Sequence, residues 1–156
     1  EDIFNTNQKI IPTLRRVHGV DFFIKSSRRD IPVDLKLTFL PKEFIKIYIQ
    51  QGKTTNEIIE MTKSNPKILA DWLYANQNPR LFNNNIRFFI VLIKKENLEE
   101  SWKLKAEFEH IKDKVNTFLA NPNESGNIIN VKYTYNKEDR VAGDYTTKCF
   151  LLIIEQ

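Results

Sequence analysis

The chain has 156 residues, of which 41% are hydrophobic and 28% charged, as expected for one soluble globular domain spanning residues 1–156. No apolar run approaches the roughly 20 residues of a membrane-spanning helix, so we expect no membrane partner. The single cysteine, Cys149, excludes an internal disulfide and a zinc site built from several thiolates. A bound divalent ion would therefore need oxygen ligands, which are the ligands that Mg²⁺ prefers.

The charge balance is compatible with a nucleic acid partner but is not specific for one. Lysine and arginine number 24 against 20 acidic residues, which gives a formal net charge of +4 at pH 7. Many intracellular proteins have a similar excess of positive charge. Nothing at the N-terminus has the form of a signal peptide, so we expect a cytoplasmic protein. Because the first residue is Glu rather than Met, we also expect a processed or partial chain.

Hydrophobic spacing in the first half of the chain predicts a β-hairpin placed between helices. A weak helical pattern ends near residue 10 and is followed by an extended segment that contains Pro12. Alternation with a period of two predicts strands at 20–25 and 31–39, which the polar turn 26–30 joins as an antiparallel hairpin. Three helices are predicted next, at 42–50, 54–63 and 66–75, and a Thr54–Glu57 capping box starts the second.

The second half is predicted to contain a buried strand, a long helix and a C-terminal hairpin. The strand at 86–94 is almost entirely apolar, which is typical of a strand that is buried on both faces. An amphipathic helix at 96–119 follows, with Trp102 and Phe108 facing inward. Strands at 128–135 and 145–154 complete the chain, with Cys149 as a buried small hydrophobic residue. This order of elements predicts an α/β or α+β domain.

Three charged side chains are predicted to meet on the first hairpin. Asp34 and Lys36 are two residues apart on one strand and therefore lie on the same face. Asp21 starts the partner strand and shares that face if the register places it opposite. Two carboxylates can hold a hard cation that polarises a phosphate and activates water, while a lysine positions the water or stabilises developing negative charge. The pattern therefore indicates metal-dependent hydrolysis of phosphodiester bonds.

These residues resemble the PD-(D/E)xK nuclease superfamily, which includes many type II restriction endonucleases. The resemblance is carried by Gly19-Val20-Asp21-Phe22-Phe23-Ile24, a short polar turn, and Pro32-Val33-Asp34-Leu35-Lys36-Leu37-Thr38. It implies a restriction-endonuclease-like fold with a mixed central sheet flanked by helices. It also implies that Asp21 and Asp34 bind Mg²⁺, that Lys36 assists the attacking water, and that a homodimer cleaves double-stranded DNA.

The resemblance covers residues 19–39 directly, and the strand at 86–93 by the order of elements. Val20 stands where the family name has proline, a position that members keep only loosely. Many members also supply an acid from an N-terminal helix, and Glu1 and Asp2 are the candidates for that role.

Two polar segments, the turn at 26–30 and the loop at 76–85, carry side chains suited to nucleic acid. Amide side chains pair well with adenine, and a guanidinium pairs well with guanine or with phosphate. The predicted contact residues are Arg28, Arg29, Asn76, Gln77, Asn78 and Arg80. Both segments are also typical of solvated loops. The helix pair at 54–75 imitates a helix-turn-helix, although short helix pairs are common.

The Asp34–Lys36 pair is also compatible with a purely structural role. Such a triplet is expected by chance in a chain with this much lysine, and an outward pair on a strand is usually a solvated ion pair at an edge. The chain would then be a non-catalytic nucleic-acid-binding or assembly module. A nuclease toxin domain or a junction-resolving nuclease would share the same site residues as a restriction enzyme.

Overall fold

The computed structural model of the protein describes residue 4 and residues 6–17, 19–76, 86–122, 128–135 and 143–156, with the backbone alone at 14–17 and 135. The described residues form one six-stranded sheet and five helices. The strands are Ile10–Val17 (β1), Val20–Ile24 (β2), Ile31–Phe39 (β3), Ile86–Ile93 (β4), Ile128–Tyr135 (β5) and Gly143–Glu155 (β6). The helices are Lys42–Gln50 (α1), Thr55–Ser64 (α2), Pro66–Asn76 (α3), the 3₁₀ helix Leu98–Ala106, and Phe108–Ala120 (α4).

The sheet is mixed, with the order β1-β2-β3-β4-β6-β5. Strands β1, β2 and β3 form an antiparallel meander, and β5 pairs antiparallel with β6. In the centre, β4 runs parallel to both β3 and β6, and helices make the crossovers that parallel pairing requires. The predicted mixed α/β fold is therefore confirmed, as is the burial of β4 on both faces, where Arg87 to Ile93 are all buried.

Each face of the sheet packs against its own group of helices. On the first face, α4 contributes Ile111, Val115, Phe118 and Leu119 to a core that includes Phe22, Val33, Phe88 and Phe150. On the second face, helices α1, α2 and α3 contribute Phe44, Ile58, Leu69 and Leu73 to a core that includes Phe89, Val91 and Cys149. Because side chains alternate along a strand, each residue of β3 and β4 belongs to one of these two faces.

The predicted helix boundaries in the first half are close to those observed. Thr54 caps α2: its backbone N–H donates to Glu57 Oε2 at 2.7 Å, and its hydroxyl oxygen accepts from the backbone N–H of Glu57 at 3.3 Å. The Thr54 hydroxyl also donates to Glu57 Oε2 at 2.9 Å. The two hydrogen bonds that Thr54 donates to this carboxylate hold the pKa of Glu57 below its usual value. Gly52, between α1 and α2, has a φ of 85°, a conformation that glycine adopts without strain.

Two predictions of helical structure were wrong. Ile10 starts a strand, β1, and not the end of a helix; Pro12 is tolerated there because β1 is an edge strand. The predicted helix at 96–119 is split at Glu107 into a 3₁₀ helix and α4. A 3₁₀ helix has three residues per turn, so Ser101 and Leu104 face the core and Trp102 is 58% exposed.

Phe108, at the start of α4, is also exposed, since α4 turns Ile111 and Val115 toward the sheet instead. The inward positions predicted for Trp102 and Phe108 are therefore wrong. No helix in the described part of the chain is long and apolar enough to cross a membrane.

Candidate active site on strands β2, β3 and β4

The register of the β2–β3 hairpin brings Asp21 beside Asp34. Phe22 pairs with Val33, so the next step along the two strands sets Asp21 opposite Asp34. The backbone N–H of Leu35 donates to Asp21 Oδ2 at 2.6 Å, which holds the Asp21 carboxylate against β3. Phe22 and Val33 are buried on the first face of the sheet, so Asp21 and Asp34 both point toward the second face.

Asp34 and Lys36 form an ion pair on that second face. Lys36 Nζ lies 3.2 Å from Asp34 Oδ1, and the two side chains are 45% and 10% exposed. The lysine thus reaches toward solvent while the carboxylate is covered. Together with Asp21, these residues form a cluster in which Asp34 is buried, while Asp21 and Lys36 are exposed to solvent. The structure therefore brings together the three side chains that the sequence selects.

Arg87 is a fourth member of this cluster, and sequence analysis did not identify it. It pairs with Asp34 in the parallel register of β3 and β4, and its Nε donates to Asp34 Oδ2 at 3.0 Å. The side chain is 8% exposed, and its guanidinium carbon lies 5.6 Å and 5.8 Å from the ring centres of Tyr74 and Phe89. A signal was present, because a buried cation in an otherwise apolar strand requires a carboxylate partner.

The position of Asp34 contradicts the interpretation of the pair as a solvated strand edge. Strand β3 is third of the six strands, between β2 and β4, and Asp34 is buried. A carboxylate in this position is stable only with cationic or hydrogen-bonding partners, and Arg87 and Lys36 provide them. The two acids and two cations of the cluster cancel in formal charge.

The side chains beneath Arg87 are neutral at physiological pH. Burial raises the pKa of the Tyr74 phenol well above its usual range, with a smaller contribution from Cys149. Cys149 lies opposite Arg87 on β6, and burial raises the pKa of its thiol to about 12. Cys149 is fully buried, so the prediction of a small hydrophobic residue is confirmed. Neither group offers a nucleophile or a base to the site.

The donor atoms of the cluster suit a hard divalent cation. Asp21 and Asp34 supply carboxylate oxygens from neighbouring strands, and Asp21 Oδ1 has no hydrogen-bond partner among the described residues. Within the described ranges, no group of three or more His, Cys, Asp and Glu side chains could hold a metal ion. An ion at Asp21 and Asp34 would take its other ligands from water and phosphate, as Mg²⁺ commonly does.

The predicted nucleic-acid contacts belong to two segments of the chain, of which the structure describes Arg28, Arg29 and Asn76. Arg28 and Arg29 are exposed in the turn that precedes β3, and the first residue of β3, Ile31, is itself about 10 Å along the strand from Asp34 at about 3.3 Å per residue. Asn76 ends α3, and its side-chain amide donates to the backbone carbonyl of Trp72 at 2.9 Å. The remaining candidates, Gln77, Asn78 and Arg80, lie outside the described residues, as do Glu1 and Asp2.

The described residues on either side of 77–85 lie at the site. Tyr74, in the last turn of α3, contacts the Arg87 guanidinium, and Arg87 itself follows Ile86 at the start of β4. Both flanks of this segment are therefore beside the Asp34–Arg87 pair.

Comparisons with protein-family models, with curated proteins and with solved structures found no match to this chain. The functional interpretation therefore depends on the residues of the site and on their geometry.

Proposed function

We propose that the protein is a magnesium-dependent endonuclease, of the type II restriction class, that hydrolyses phosphodiester bonds in double-stranded DNA. The observation that carries the proposal is that Asp21, Asp34 and Lys36 lie together on the second face of the sheet, on strands β2 and β3. Two carboxylates and an ammonium group in this arrangement match the chemical needs of phosphodiester hydrolysis. The net positive charge of the chain favours a polyanionic substrate.

Each residue has a distinct role in this mechanism. Asp21 and Asp34 would hold the Mg²⁺, which when bound polarises the phosphate and makes a bound water more acidic. Lys36 Nζ, held by Asp34 Oδ1 at the open side, orients the attacking water or stabilises the negative charge that develops on the phosphate. Arg28 and Arg29 bind the phosphate backbone away from the point of cleavage.

A plasmid digest tests the proposal. We expect the wild-type protein to cut plasmid DNA into discrete bands with Mg²⁺ and to leave it intact without Mg²⁺. The Lys36→Ala variant should cut at least about a hundredfold more slowly and still bind DNA, because removal of a group that assists proton transfer costs about 10²–10⁴-fold. Smearing would favour a nuclease toxin domain, and cutting of branched DNA alone would favour a junction-resolving nuclease.

Lys63→Ala is the matched control for Lys36→Ala. The Lys63 side chain is 39% exposed and lies 3.2 Å from Glu60 Oε1, so its exposure and its ion pair resemble those of Lys36. This variant should cut DNA at the wild-type rate. Equal losses in both variants would show that lysine pairs matter only for folding, which would contradict the assignment of Lys36.

The dimer expected of such an enzyme is a separate proposal. A two-fold symmetric pair of chains would place one site on each strand of a symmetric DNA sequence. Light scattering of the free protein and of its complex with DNA would measure the oligomeric state. A monomer in both conditions would exclude this arrangement.

A non-catalytic nucleic-acid-binding or assembly module is the second candidate. The observation in its favour is that both oxygens of Asp34 already have cationic partners within the chain. On this alternative the plasmid stays intact under all conditions, and Lys36→Ala leaves DNA binding unchanged.

A further inference from the structure

We propose that Arg87 is a positioning residue of the candidate active site that takes the place of a second cation, so that the site binds a single divalent ion. This inference rests on the proposed nuclease function. It assigns a role to a residue that the Asp21, Asp34 and Lys36 pattern does not include. It also limits how many metal ions the site can hold.

Arg87 fixes the orientation of the Asp34 carboxylate. Its Nε donates a hydrogen bond to Asp34 Oδ2 at 3.0 Å, and the other carboxylate oxygen, Oδ1, therefore faces Lys36. The guanidinium lies over the rings of Tyr74 and Phe89, and only 8% of the side chain is exposed. Because Arg87 is packed in this way, it cannot leave Asp34 without exposing apolar surface and stranding a buried charge.

A second divalent ion would need the oxygen that Arg87 already occupies. Two-ion sites hold their ions about 3.5–4 Å apart, and a shared carboxylate usually contributes one oxygen to each. Here the second oxygen, Asp34 Oδ2, contacts a permanent positive charge. A dication at that oxygen would be strongly repelled by the guanidinium in a poorly solvated position. Lys36 Nζ lies 3.2 Å from the other oxygen, Asp34 Oδ1, but the Lys36 side chain is 45% exposed, so water screens its charge far more than that of Arg87. Asp34 Oδ1 and the Asp21 carboxylate are therefore the ligands that remain for one ion.

Two substitutions separate the hydrogen bond of Arg87 from its charge. The amide nitrogen of glutamine is as many bonds from the backbone as the Nε of arginine, so Arg87→Gln can keep the donor to Asp34 Oδ2 without the positive charge. Arg87→Lys keeps the charge without the planar group. Lys63→Gln, in an exposed ion pair away from the site, is the control for the loss of one positive charge.

The test is a titration with Mn²⁺ in the absence of DNA. The electron paramagnetic resonance signal of free Mn²⁺ measures how much of the ion is bound. We expect one Mn²⁺ per wild-type chain, lost in Asp34→Asn. Arg87→Gln should bind Mn²⁺ about tenfold more tightly, because the four charges of the site no longer cancel and an excess negative charge remains. Arg87→Lys and Lys63→Gln should stay within about threefold of wild type.

The same measurements can overturn the proposal. Two ions per wild-type chain, both lost in Asp34→Asn, would contradict it directly, even if neither Arg87 variant folds. Unchanged or weaker Mn²⁺ binding in an Arg87→Gln protein with a native circular dichroism spectrum would show that Arg87 only supports the fold. Binding of one Mn²⁺ with the expected variant pattern but without DNA cleavage would contradict the nuclease and leave the role of Arg87 standing. A wild-type chain that binds no Mn²⁺ would overturn both.

Discussion

Asp34 and Glu155 are each held between two cations, yet their settings differ. Asp34 lies in the middle of the sheet, with an arginine on one oxygen and a lysine on the other. Glu155 lies at the end of β6, with a different lysine on each oxygen. A second acid lies near each of them, so both clusters contain two acids and two cations. Their composition alone does not distinguish a functional site from a surface ion network.

In the Glu155 cluster both acids are paired with lysines, and the side chains are in contact with solvent. Lys63 and Lys95 each lie within ion-pair distance of both Glu155 and Glu60. All four side chains are at least partly exposed, so water screens their interactions. Individual exposed ion pairs contribute little to stability, and both acids of this cluster already have lysine partners.

In the Asp34 cluster the second acid, Asp21, is not part of an ion pair among the described residues. Asp21 accepts a hydrogen bond from the backbone of Leu35, and no cation of the described residues lies within ion-pair distance of it. One cation of the cluster, Arg87, is buried. The two clusters thus differ in the pairing of the second acid: Glu60 lies between two lysines, whereas Asp21 has no cationic partner among the described residues.

The largest expected difference between the two clusters is in the rate of DNA cleavage after Asp34 or Glu155 is replaced by its amide. Asp34→Asn should lower the rate of plasmid cleavage about a thousandfold or more, because it removes a carboxylate that we propose binds the metal ion. Glu155→Gln should leave the rate unchanged. Single-turnover cleavage at saturating Mg²⁺ measures both. Comparable rates for the two variants would contradict the functional distinction between the clusters.

A smaller difference is expected in stability when one cation of each cluster is removed. Arg87→Met should lower the free energy of unfolding by about 3 kcal/mol or more, because it leaves the buried Asp34 carboxylate with one partner at its exposed end. Lys63→Met should change the melting temperature by no more than about 3 °C, since the pair is exposed. Urea and thermal unfolding give both values, and a stable Arg87→Met protein would argue against a buried pair.

The smallest expected effect is a pH dependence of the Glu155 cluster. The hydrogen bond from Lys63 holds the pKa of Glu155 below its usual value of 4.5. Its stabilising contribution is therefore complete above that value and is lost as the pH falls through the lower pKa of the folded state. The difference in melting temperature between wild type and Glu155→Gln should be small at pH 7 and should vanish in acid.

The behaviour at high pH has the opposite sign. Glu155 and Glu60 raise the pKa of Lys63 above its usual 10.5. The contribution of Lys63 is complete below that value and is lost as the pH rises through the higher pKa of the folded state. A difference between wild type and Glu155→Gln that grew in acid would contradict these roles of the two residues.

Much of the fold was predictable because its signals are local. The alternation in β3, the apolar run of β4 and the capping box at Thr54 all depend on near neighbours in the chain, and all three elements are present. The errors occurred where local patterns are ambiguous. Residues 96–119 have an apolar spacing that fits one long helix, but the break at Glu107 depends on how the segment packs against the sheet.

The candidate site was predictable in part for the same reason. A strand period of two puts Asp34 and Lys36 on one face whatever the rest of the chain does, and the short turn makes Asp21 a neighbour of β3. The amino-acid order is enough to establish these relations, because they involve residues that are close in the chain.

Arg87 is different, because it reaches Asp34 across 53 positions of sequence. Their contact requires that β4 pair parallel to β3, in a register that sets Arg87 opposite Asp34, after helices α1, α2 and α3 have crossed one face of the sheet. Pairing between distant strands depends on the packing of the whole sheet, and local preferences do not specify it. Only the three-dimensional fold therefore decided that Asp34 is buried, that an arginine holds one of its oxygens, and that the other oxygen lies on the open side with Lys36.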